Sequence, residues 1–345
     1  MNFVLAYLNE NWQRLSLERL GAPSGVSCVI TTPRFRSSSH ILFFVLAGES
    51  TDPALVVKVP RLPGDHNRLT REAQNLQWVH ASRPGGFGSI PRLVAYEEYL
   101  DNRLLVETAL RGPTLSSRLK GDPPEKMVTS VVTWLIELHQ ATTQRSENMS
   151  GWYARLAERP LYQFMEAMPL LKEELGMIEQ TQTLMGSLRD RSIPLVFEHR
   201  DLGPPNILLD RRDELGVVDW ELAEPGGLPA VDLFFFLTLV TFVRRRARSR
   251  ADYIAGFHET FFSPSAWARP HIVRYAESMH LSPEVLVPLF VLCWSCYVAG
   301  LVTRLSDFAD SGTLLARGTA EWLRSNRYYA LWRHALDHVD ELKWM

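Results

Sequence analysis

Short apolar runs dominate the chain between residues 26 and 108. These runs are rich in β-branched and aromatic residues, which is typical of strands: VSCVIT, ILFFVLAG, ALVVKVP, PRLVAYEEYL and RLLVET. One helical pattern interrupts them, from about residue 67 to 80, where Leu69, Ala73 and Leu76 can share a face. The pattern predicts an antiparallel sheet of five strands with one helix.

Beyond residue 113 the apolar positions are spaced as they are in helices. Residues 126–140, the segment 152–191 and the last hundred or so residues follow this spacing, and a strand-rich stretch from Pro194 to Leu222 lies among them. The sequence therefore predicts an α+β protein of two lobes. Residues 1–108 form a sheet-based lobe and residues 109–345 form a mainly helical one.

The segment Val285–Val302 is almost free of polar side chains and raises the question of a membrane span. Its length is marginal against the roughly 20 apolar residues that a spanning helix needs, and Pro288 interrupts it. We expect a buried helix of the larger lobe. Cys293 and Cys296 lie within this run at redox-motif spacing, and we expect them to pack in the interior as well.

Composition narrows the classes of function. The formal net charge is -2, from 37 Lys and Arg against 39 Asp and Glu, so no basic field favours nucleic-acid binding. Three cysteines are too few for a disulfide framework and fit a reducing compartment. The opening residues MNFVLAYLNENWQR lack the pattern of a signal peptide. We therefore expect a cytoplasmic protein.

The stretch from Leu195 to Glu221 carries the most informative motif. It reads LVFEHRDLGPPNILLD and then, after a turn, GVVDWE, so that His199 and Asp201 precede Asn206 in the pattern His-x-Asp-x-x-x-x-Asn. The segment GGLPAVDL follows, with Asp232 near its end. Together these motifs resemble the aminoglycoside phosphotransferase and choline kinase superfamily, which is related to the protein kinases.

This resemblance implies a protein-kinase-like fold and an ATP-dependent phosphotransferase activity. The γ-phosphate would move to a hydroxyl group of a small-molecule acceptor such as a sugar, an amino alcohol, an antibiotic or a related metabolite. The catalytic loop would span residues 194–233, and helices in 141–193 and 234–345 would bind the acceptor. Asp232 would support the catalytic-loop backbone through hydrogen bonds.

Phosphoryl transfer depends on positioning and on charge neutralisation more than on covalent chemistry. By the resemblance, Asp201 would act as the base for the acceptor hydroxyl, and Asn206 and Asp219 would hold Mg²⁺. Glu221 is a further candidate metal residue. Arg200 departs from the family, most of whose members have Gly at that position.

Lys58 lies within the apolar run ALVVKVP, where a buried charge is costly unless it is paired. Glu72, on the helix that follows, is the natural partner, and the pair would direct the lysine at the nucleotide phosphates. The alternative is that Lys58 extends into solvent from an edge strand.

The rest of the nucleotide site is less clearly marked. The turn between the first two strands is rich in serine rather than glycine, and Ser37, Ser38 and Ser39 are candidates for binding phosphate. By the resemblance, adenine would lie against backbone groups of Glu107, Thr108 and Ala109. The sequence does not distinguish ATP from GTP.

The spacing after Asp219 favours a small-molecule kinase over a protein kinase. Only about a dozen residues separate Asp219 from Asp232, and no Ala-Pro-Glu triplet follows, so there is no room for an activation loop. Residues 234–345 contain thirteen Lys and Arg against ten Asp and Glu, which does not favour a polycationic antibiotic. The acceptor itself and the oligomeric state leave no signal in the sequence.

Two other functions remain open at this point. The chain could be a nucleotide-binding pseudokinase that acts as a scaffold, although every catalytic position is present. It could also be a membrane-associated kinase of a lipid-linked acceptor, with peripheral contact through the basic segment Arg244–Arg250. We expect that segment to be a solvated helix end instead.

Overall fold

The computed structural model describes residues 2–32, 40–62, 64, 66–119, 124–145, 151–306 and 315–344. Helices and strands follow the predicted order. The helices are α1 Phe3–Glu10, α2 Asn67–Ala81, α3 Leu115–Arg118, α4 Pro124–Thr142, α5 Arg159–Ala167, α6 Lys172–Gly186, α7 Val231–Arg245, α8 Arg250–Phe261, α9 Arg269–Met279, α10 Pro283–Ser306, α11 Arg317–Ser325 and α12 Arg327–Asp337. The strands are β1 Val26–Thr31, β2 His40–Ala47, β3 Pro53–Pro60, β4 Leu93–Tyr99, β5 Asn102–Thr108, β6 Gln144–Arg145, β7 Pro194–Glu198, β8 Ile207–Leu209, β9 Leu215–Val217 and β10 Glu224–Gly227.

The first five strands form one sheet in the order β1-β2-β3-β5-β4. Each neighbouring pair is antiparallel, and Lys58 of the central strand β3 lies opposite Leu42 on one side and Leu105 on the other. This arrangement, followed by mainly helical structure after residue 114, confirms the predicted α+β fold class. The central position of β3 also excludes the alternative that Lys58 extends from an edge strand.

Alternation along the strands separates two faces of this sheet. On one face a core forms between α1 and the strands, and Leu55, Val57 and Val106 belong to it. On the other face Leu105 packs against Leu69 and Ala73 of α2. Lys58 and Glu107 are each next in sequence to a residue of the first core, and neighbouring strand residues point to opposite faces. Both therefore lie on the face of the sheet that packs against α2.

By contacts the chain divides into two compact units. Unit 1 comprises Met1–Arg118 with His199–Pro225, and unit 2 comprises Leu119–Glu198 with Gly226–Met345. The segment 199–225 is thus grouped with the five-stranded sheet, whereas the predicted lobe boundary at residue 108 assigned it to the helical lobe. The division at residue 108 stays a prediction.

Two glycines show how the β8–β9 hairpin packs against the chain segment that follows β5. Gly112 has φ +110°, and a Cβ atom there would lie 2.4 Å from the carbonyl oxygen of Leu209. A Cβ atom at Gly216 would lie 3.0 Å from the Leu110 side chain. Because only glycine permits so close an approach, the chain after β5 packs directly on the hairpin. The Leu209 N–H also donates to the Pro113 carbonyl oxygen at 3.1 Å.

Unit 2 is built mainly from helices. Among the described residues, α10 is the one helix long and apolar enough to cross a membrane, and 72% of its most apolar window is buried inside the protein. Leu286, Phe290 and Trp294 have no solvent exposure, as expected for the predicted buried helix. Cys293 and Cys296 in the same helix are free thiols.

Candidate active site

The candidate active site is centred on a buried lysine and two glutamates in unit 1. The Lys58 Nζ lies 2.5 Å from Glu72 Oε1 and 3.2 Å from Glu107 Oε1. All three side chains are at least nine-tenths buried. We call Lys58, Glu72 and Glu107 the lysine cluster. It confirms that Lys58 is paired with Glu72, and it adds a second carboxylate that the sequence analysis did not assign to this role.

The charges of the lysine cluster stabilise one another. Burial alone would lower the pKa of Lys58, but the carboxylates of Glu107, Glu72 and Asp219 outweigh that effect, and the pKa is raised. Lys58 is therefore a permanent cation. Burial raises the pKa of Glu107 to about 7, against the opposing effect of the Lys58 charge and with further help from Glu72 and Asp219. The cluster thus has more carboxylates than its single cation neutralises.

Helix α2 holds the segment that follows Asp219 through two side chains on one face. Glu72 and Asn75 are three residues apart, so they project in nearly the same direction. The Trp220 N–H donates to Glu72 Oε1 at 3.1 Å. The amide of Asn75 donates to the carbonyl oxygens of Trp220 and Ala223 at 2.8 and 2.9 Å. These three hydrogen bonds fix the backbone next to Asp219.

Asp219 has a left-handed backbone conformation, with φ +70°. For a non-glycine residue this conformation costs roughly 1–2 kcal/mol, and such strain is typical of functional sites. Its neighbour Val218 donates to the Asn206 carbonyl oxygen at 3.0 Å, and the Val218 carbonyl oxygen lies 3.2 Å from His199 Nε2. The catalytic-loop motif and Asp219 are therefore linked through the backbone of a single residue.

The His199 ring contacts the backbone of both Asp201 and Val218. Its Nδ1 accepts the N–H of Asp201 at 3.3 Å, so the proton of a neutral ring lies on Nε2 and is donated to Val218. The imidazole also packs edge-on against the buried ring of Trp220, with 4.7 Å between centroids. His199 thus orients the backbone on both sides of the site.

The predicted catalytic loop brings Asp201 and Asn206 together. The Asn206 amide donates to the Asp201 backbone oxygen at 3.0 Å and to Asp201 Oδ2 at 2.9 Å. A tight turn makes this possible, since Gly203 N–H donates to the Asp201 carbonyl oxygen at 2.7 Å. Arg200, which directly precedes Asp201, has φ +64°, and its Nη1 lies 3.8 Å from Glu224 Oε2. Glycine adopts such a left-handed conformation without strain, as the expected glycine at this position would.

The donor set of Asn206 and Asp219 fits a magnesium ion. Because the Asn206 nitrogen is directed at Asp201, its amide oxygen Oδ1 is the atom that remains for a ligand. Within the part of the chain that the structure describes, the Asp219 carboxylate has no hydrogen-bond partner. Carboxylate and amide oxygens are the ligands that Mg²⁺ prefers. The roles of both residues as metal ligands stay predictions.

The Glu221 carboxylate contacts Arg68 and His40. Its Oε1 lies 3.0 Å from Arg68 and its Oε2 lies 3.3 Å from His40 Nδ1. Burial and the nearby charge of Asp219 raise the pKa of Glu221 to about 7, against the effect of Arg68. Its role as a metal residue stays a prediction.

The predicted adenine contacts are partly occupied by the protein itself. The Thr108 N–H donates to the Arg92 carbonyl oxygen at 3.0 Å, and the Ala109 N–H donates to the Ala54 carbonyl oxygen at 3.1 Å. The Glu107 side chain faces Lys58. Ser37, Ser38 and Ser39 lie outside the described residues. The nucleotide contacts of all these residues stay predictions.

Asp232 lies in unit 2, where it is fully buried. Its Oδ2 is 3.7 Å from His139 Nε2, and the Nδ1 of the same ring is 2.6 Å from the hydroxyl of Tyr275. That hydroxyl also accepts the N–H of Ala230 at 3.0 Å. A polar chain therefore holds the start of α7. The predicted support of the catalytic-loop backbone by Asp232 stays a prediction.

Comparison with known proteins agrees with the fold. Residues 37–271 match the profile of a family described as the phosphotransferase enzyme family. The crystal structure of choline kinase LicA from Streptococcus pneumoniae is similar, with a TM-score of 0.52 and 13% identity over 95% of this chain and 99% of that one. LicA in complex with AMP has a TM-score of 0.51 and 13% identity over 95% and 98%.

Macrolide 2'-phosphotransferase MphH from Brachybacterium faecium is 16% identical over 93% of this chain and 98% of that one, with a TM-score of 0.49. No curated protein matches the chain in sequence. At these identities the two LicA structures establish the fold alone, and the match to the family profile establishes the family to which the chain belongs.

Proposed function

Since this chain belongs to the phosphotransferase enzyme family, we propose that it transfers the γ-phosphate of ATP to a hydroxyl group of a small-molecule acceptor. The observation that carries this proposal is the double role of Glu72. Its Oε1 contacts both the Lys58 ammonium and the backbone N–H of Trp220. One carboxylate thereby fixes a buried cation relative to the residue that follows Asp219.

Lys58 would bind the phosphates of the nucleotide. Its ammonium group carries a permanent charge and is held by two carboxylates, so its position is set before a ligand arrives. Preorganised charge of this kind is the main contribution that a kinase makes to phosphoryl transfer. The complex of LicA with AMP supports a nucleotide as the ligand of this fold.

Asp201 would accept the proton of the acceptor hydroxyl. The hydrogen bond from the Asn206 amide to Asp201 Oδ2 would orient the carboxylate for this role. Asn206 Oδ1 and the Asp219 carboxylate would hold Mg²⁺, which, when bound, neutralises charge on the phosphates. The left-handed backbone of Asp219 and its bonded neighbours keep that carboxylate in place.

The acceptor class follows from the family alone. The similar LicA structure is named as a choline kinase, and choline carries a hydroxyl group. We propose an alcohol of comparable size, such as an amino alcohol, a sugar or a related metabolite, bound by helices of residues 141–193 and 234–345. The reaction would take place in the cytoplasm.

Phosphorylation of pooled hydroxyl metabolites, followed by mass spectrometry, tests the proposal. We expect an ATP-dependent product with the wild-type protein and a loss of about 10²- to 10⁴-fold in kcat for Asp201→Asn. The affinity for ATP should stay within about threefold, because Asp201 contacts the acceptor and not the nucleotide. The exposed residue Asp190 offers a matched control, and Asp190→Asn should behave like the wild type.

Lys58→Met separates binding from catalysis. This variant should lose nucleotide affinity as well as turnover, since the cation for the phosphates is gone. If ATP binds to the wild type and no acceptor is phosphorylated in an Asp201-dependent way, the chain is a pseudokinase and the proposal is wrong.

A further inference from the structure

Three histidines come together in unit 2, and none of them has been given a role in phosphoryl transfer. His258 lies on α8, His334 lies in the last turn of α12, and His338 is the residue that caps α12. His334 and His338 are four residues apart, so they share one face of the helix, as two histidine ligands of a metal often do. We call these three residues the histidine cluster.

The distances within the histidine cluster suit a single metal ion. One ring nitrogen from each residue lies within 4.8 Å of the others. His258 Nδ1 and His334 Nε2 are 3.2 Å apart. Two imidazole nitrogens bound tetrahedrally to one Zn²⁺ at about 2.0–2.1 Å would be separated by roughly 3.4 Å. The first two ligands therefore have nearly the spacing that a metal requires.

The third ligand has a defined tautomer. His338 Nδ1 lies 3.0 Å from the carbonyl oxygen of His334, and because a carbonyl can only accept, Nδ1 must carry the proton. The lone pair of His338 is then on Nε2. A metal-binding histidine typically donates its second nitrogen to a carbonyl or a carboxylate in this way. The bond is thus the outer contact expected of a ligand.

Aromatic packing also holds the His334 ring. Phe257 and Phe262 pack edge-on against this ring at 6.0 and 5.4 Å, which restricts its orientation.

A simple packing role accounts for less of this arrangement. Two neutral imidazoles can share one hydrogen bond, and that explains the contact of His258 with His334. It does not explain a third imidazole at 4.0 Å from His334, stacked at 26°, with its tautomer fixed so that Nε2 is the acceptor.

We propose that His258, His334 and His338 bind one Zn²⁺ ion, or a similar first-row transition-metal ion, with water in the fourth position. Neutral imidazole suits Zn²⁺, Cu²⁺ and Ni²⁺, whereas Mg²⁺ prefers oxygen ligands, so the ion differs from the one expected for phosphoryl transfer. The ligands come from helices whose contacting residues are 76 positions apart in the chain. The metal would therefore tie α8 to α12, and this proposal does not rest on the proposed function.

Calorimetric titration of ZnCl₂ into untagged, metal-stripped protein tests the proposal. We expect one bound Zn²⁺ per chain in the wild type. Loss of an outer contact typically lowers metal affinity by about 10- to 100-fold. His258→Gln and His338→Gln each remove a direct ligand, so the Zn²⁺ affinity of each variant should fall by more than that. His280 is exposed and has a left-handed backbone that Asn tolerates, so His280→Asn is the matched control and should bind as the wild type does.

Two further readouts guard against loss of folding and against binding elsewhere. With EDTA present, each variant should show the circular dichroism spectrum of the wild type. Co²⁺ added in place of Zn²⁺ should give the visible absorption of a low-coordinate site in the wild type and not in the double variant His258→Gln/His338→Gln. Zn²⁺ affinity that is no tighter than about millimolar in the wild type, or that is unchanged in the double variant, would overturn the proposal.

Discussion

Replacing Glu107 by glutamine should change how the stability of the protein depends on pH. Glu107 is the second carboxylate of the lysine cluster, 3.2 Å from the Lys58 ammonium. Glutamine keeps the size of the side chain and an oxygen that can accept from Lys58, and Glu72 still compensates the lysine charge at 2.5 Å. The substitution therefore removes a titrating group without leaving a buried cation alone.

The sign and size of the effect follow from the pKa of Glu107. In the unfolded chain this carboxyl loses its proton near pH 4.5, whereas in the folded protein it does so near pH 7. Between these values the folded state binds more protons, so the free energy of unfolding falls as the pH rises. At about 1.4 kcal/mol per pKa unit, Glu107 lowers the stability by up to about 3 kcal/mol over this interval.

Urea denaturation, carried out between about pH 5 and about pH 8, measures this contribution. Going up this range, the free energy of unfolding of Glu107→Gln should rise relative to that of the wild type by up to about 3 kcal/mol. Glu98 on the neighbouring strand is 58% exposed, and Glu98→Gln should follow the wild type at every pH. Parallel curves for Glu107→Gln and the wild type would refute the reasoning, because Glu107 would then titrate alike in both states.

Two further substitutions test how the site is held. Asn75→Ala should lower the free energy of unfolding in urea by about 2–4 kcal/mol, because it leaves two buried carbonyl oxygens unbonded. Asn102→Ala removes an exposed side-chain bond to a carbonyl oxygen and should cost less than about 1 kcal/mol. Equal costs would contradict the role of Asn75 in holding the backbone after Asp219. Gly112→Ala should cost about 3 kcal/mol or more by thermal unfolding, since its Cβ would meet Leu209. Gly85→Ala, also at positive φ but in open space, isolates the backbone contribution and should cost about 1–2 kcal/mol; if both glycine variants behave alike, the close approach is unimportant.

Much of the fold could be predicted because local pattern and tertiary structure agree. The five strands and α2 coincide with runs read from alternation and composition, and the pairing of Lys58 with Glu72 follows from the cost of an unpaired buried charge. Glu107 was harder to place. Its side chain lies on the Lys58 face of the sheet because β5 pairs with β3 in one register, and register is a tertiary property.

Other parts of the site left a weaker signal. Asn75 follows Glu72 by three residues, so its face was predictable, but its acceptors are about 145 residues away in the chain. The histidine cluster joins a visible His-x-x-x-His pair to His258, and only the packing of α8 on α12 brings the third ring close. Long-range contacts of this kind depend on how helices pack against one another, and hydrophobic periodicity in the sequence does not predict that packing.

During synthesis, the sheet of unit 1 leaves the ribosome long before the segment that completes its polar interior. Thr108 ends the last strand of that sheet, whereas Trp220, whose N–H binds Glu72, follows more than a hundred residues later. At about 5–20 residues per second, the interval between Thr108 and Pro225 lasts roughly 6–23 s. For that time Glu72 and Asn75 of α2 lack their backbone partners, so unit 1 reaches its native state only after most of the chain has been made.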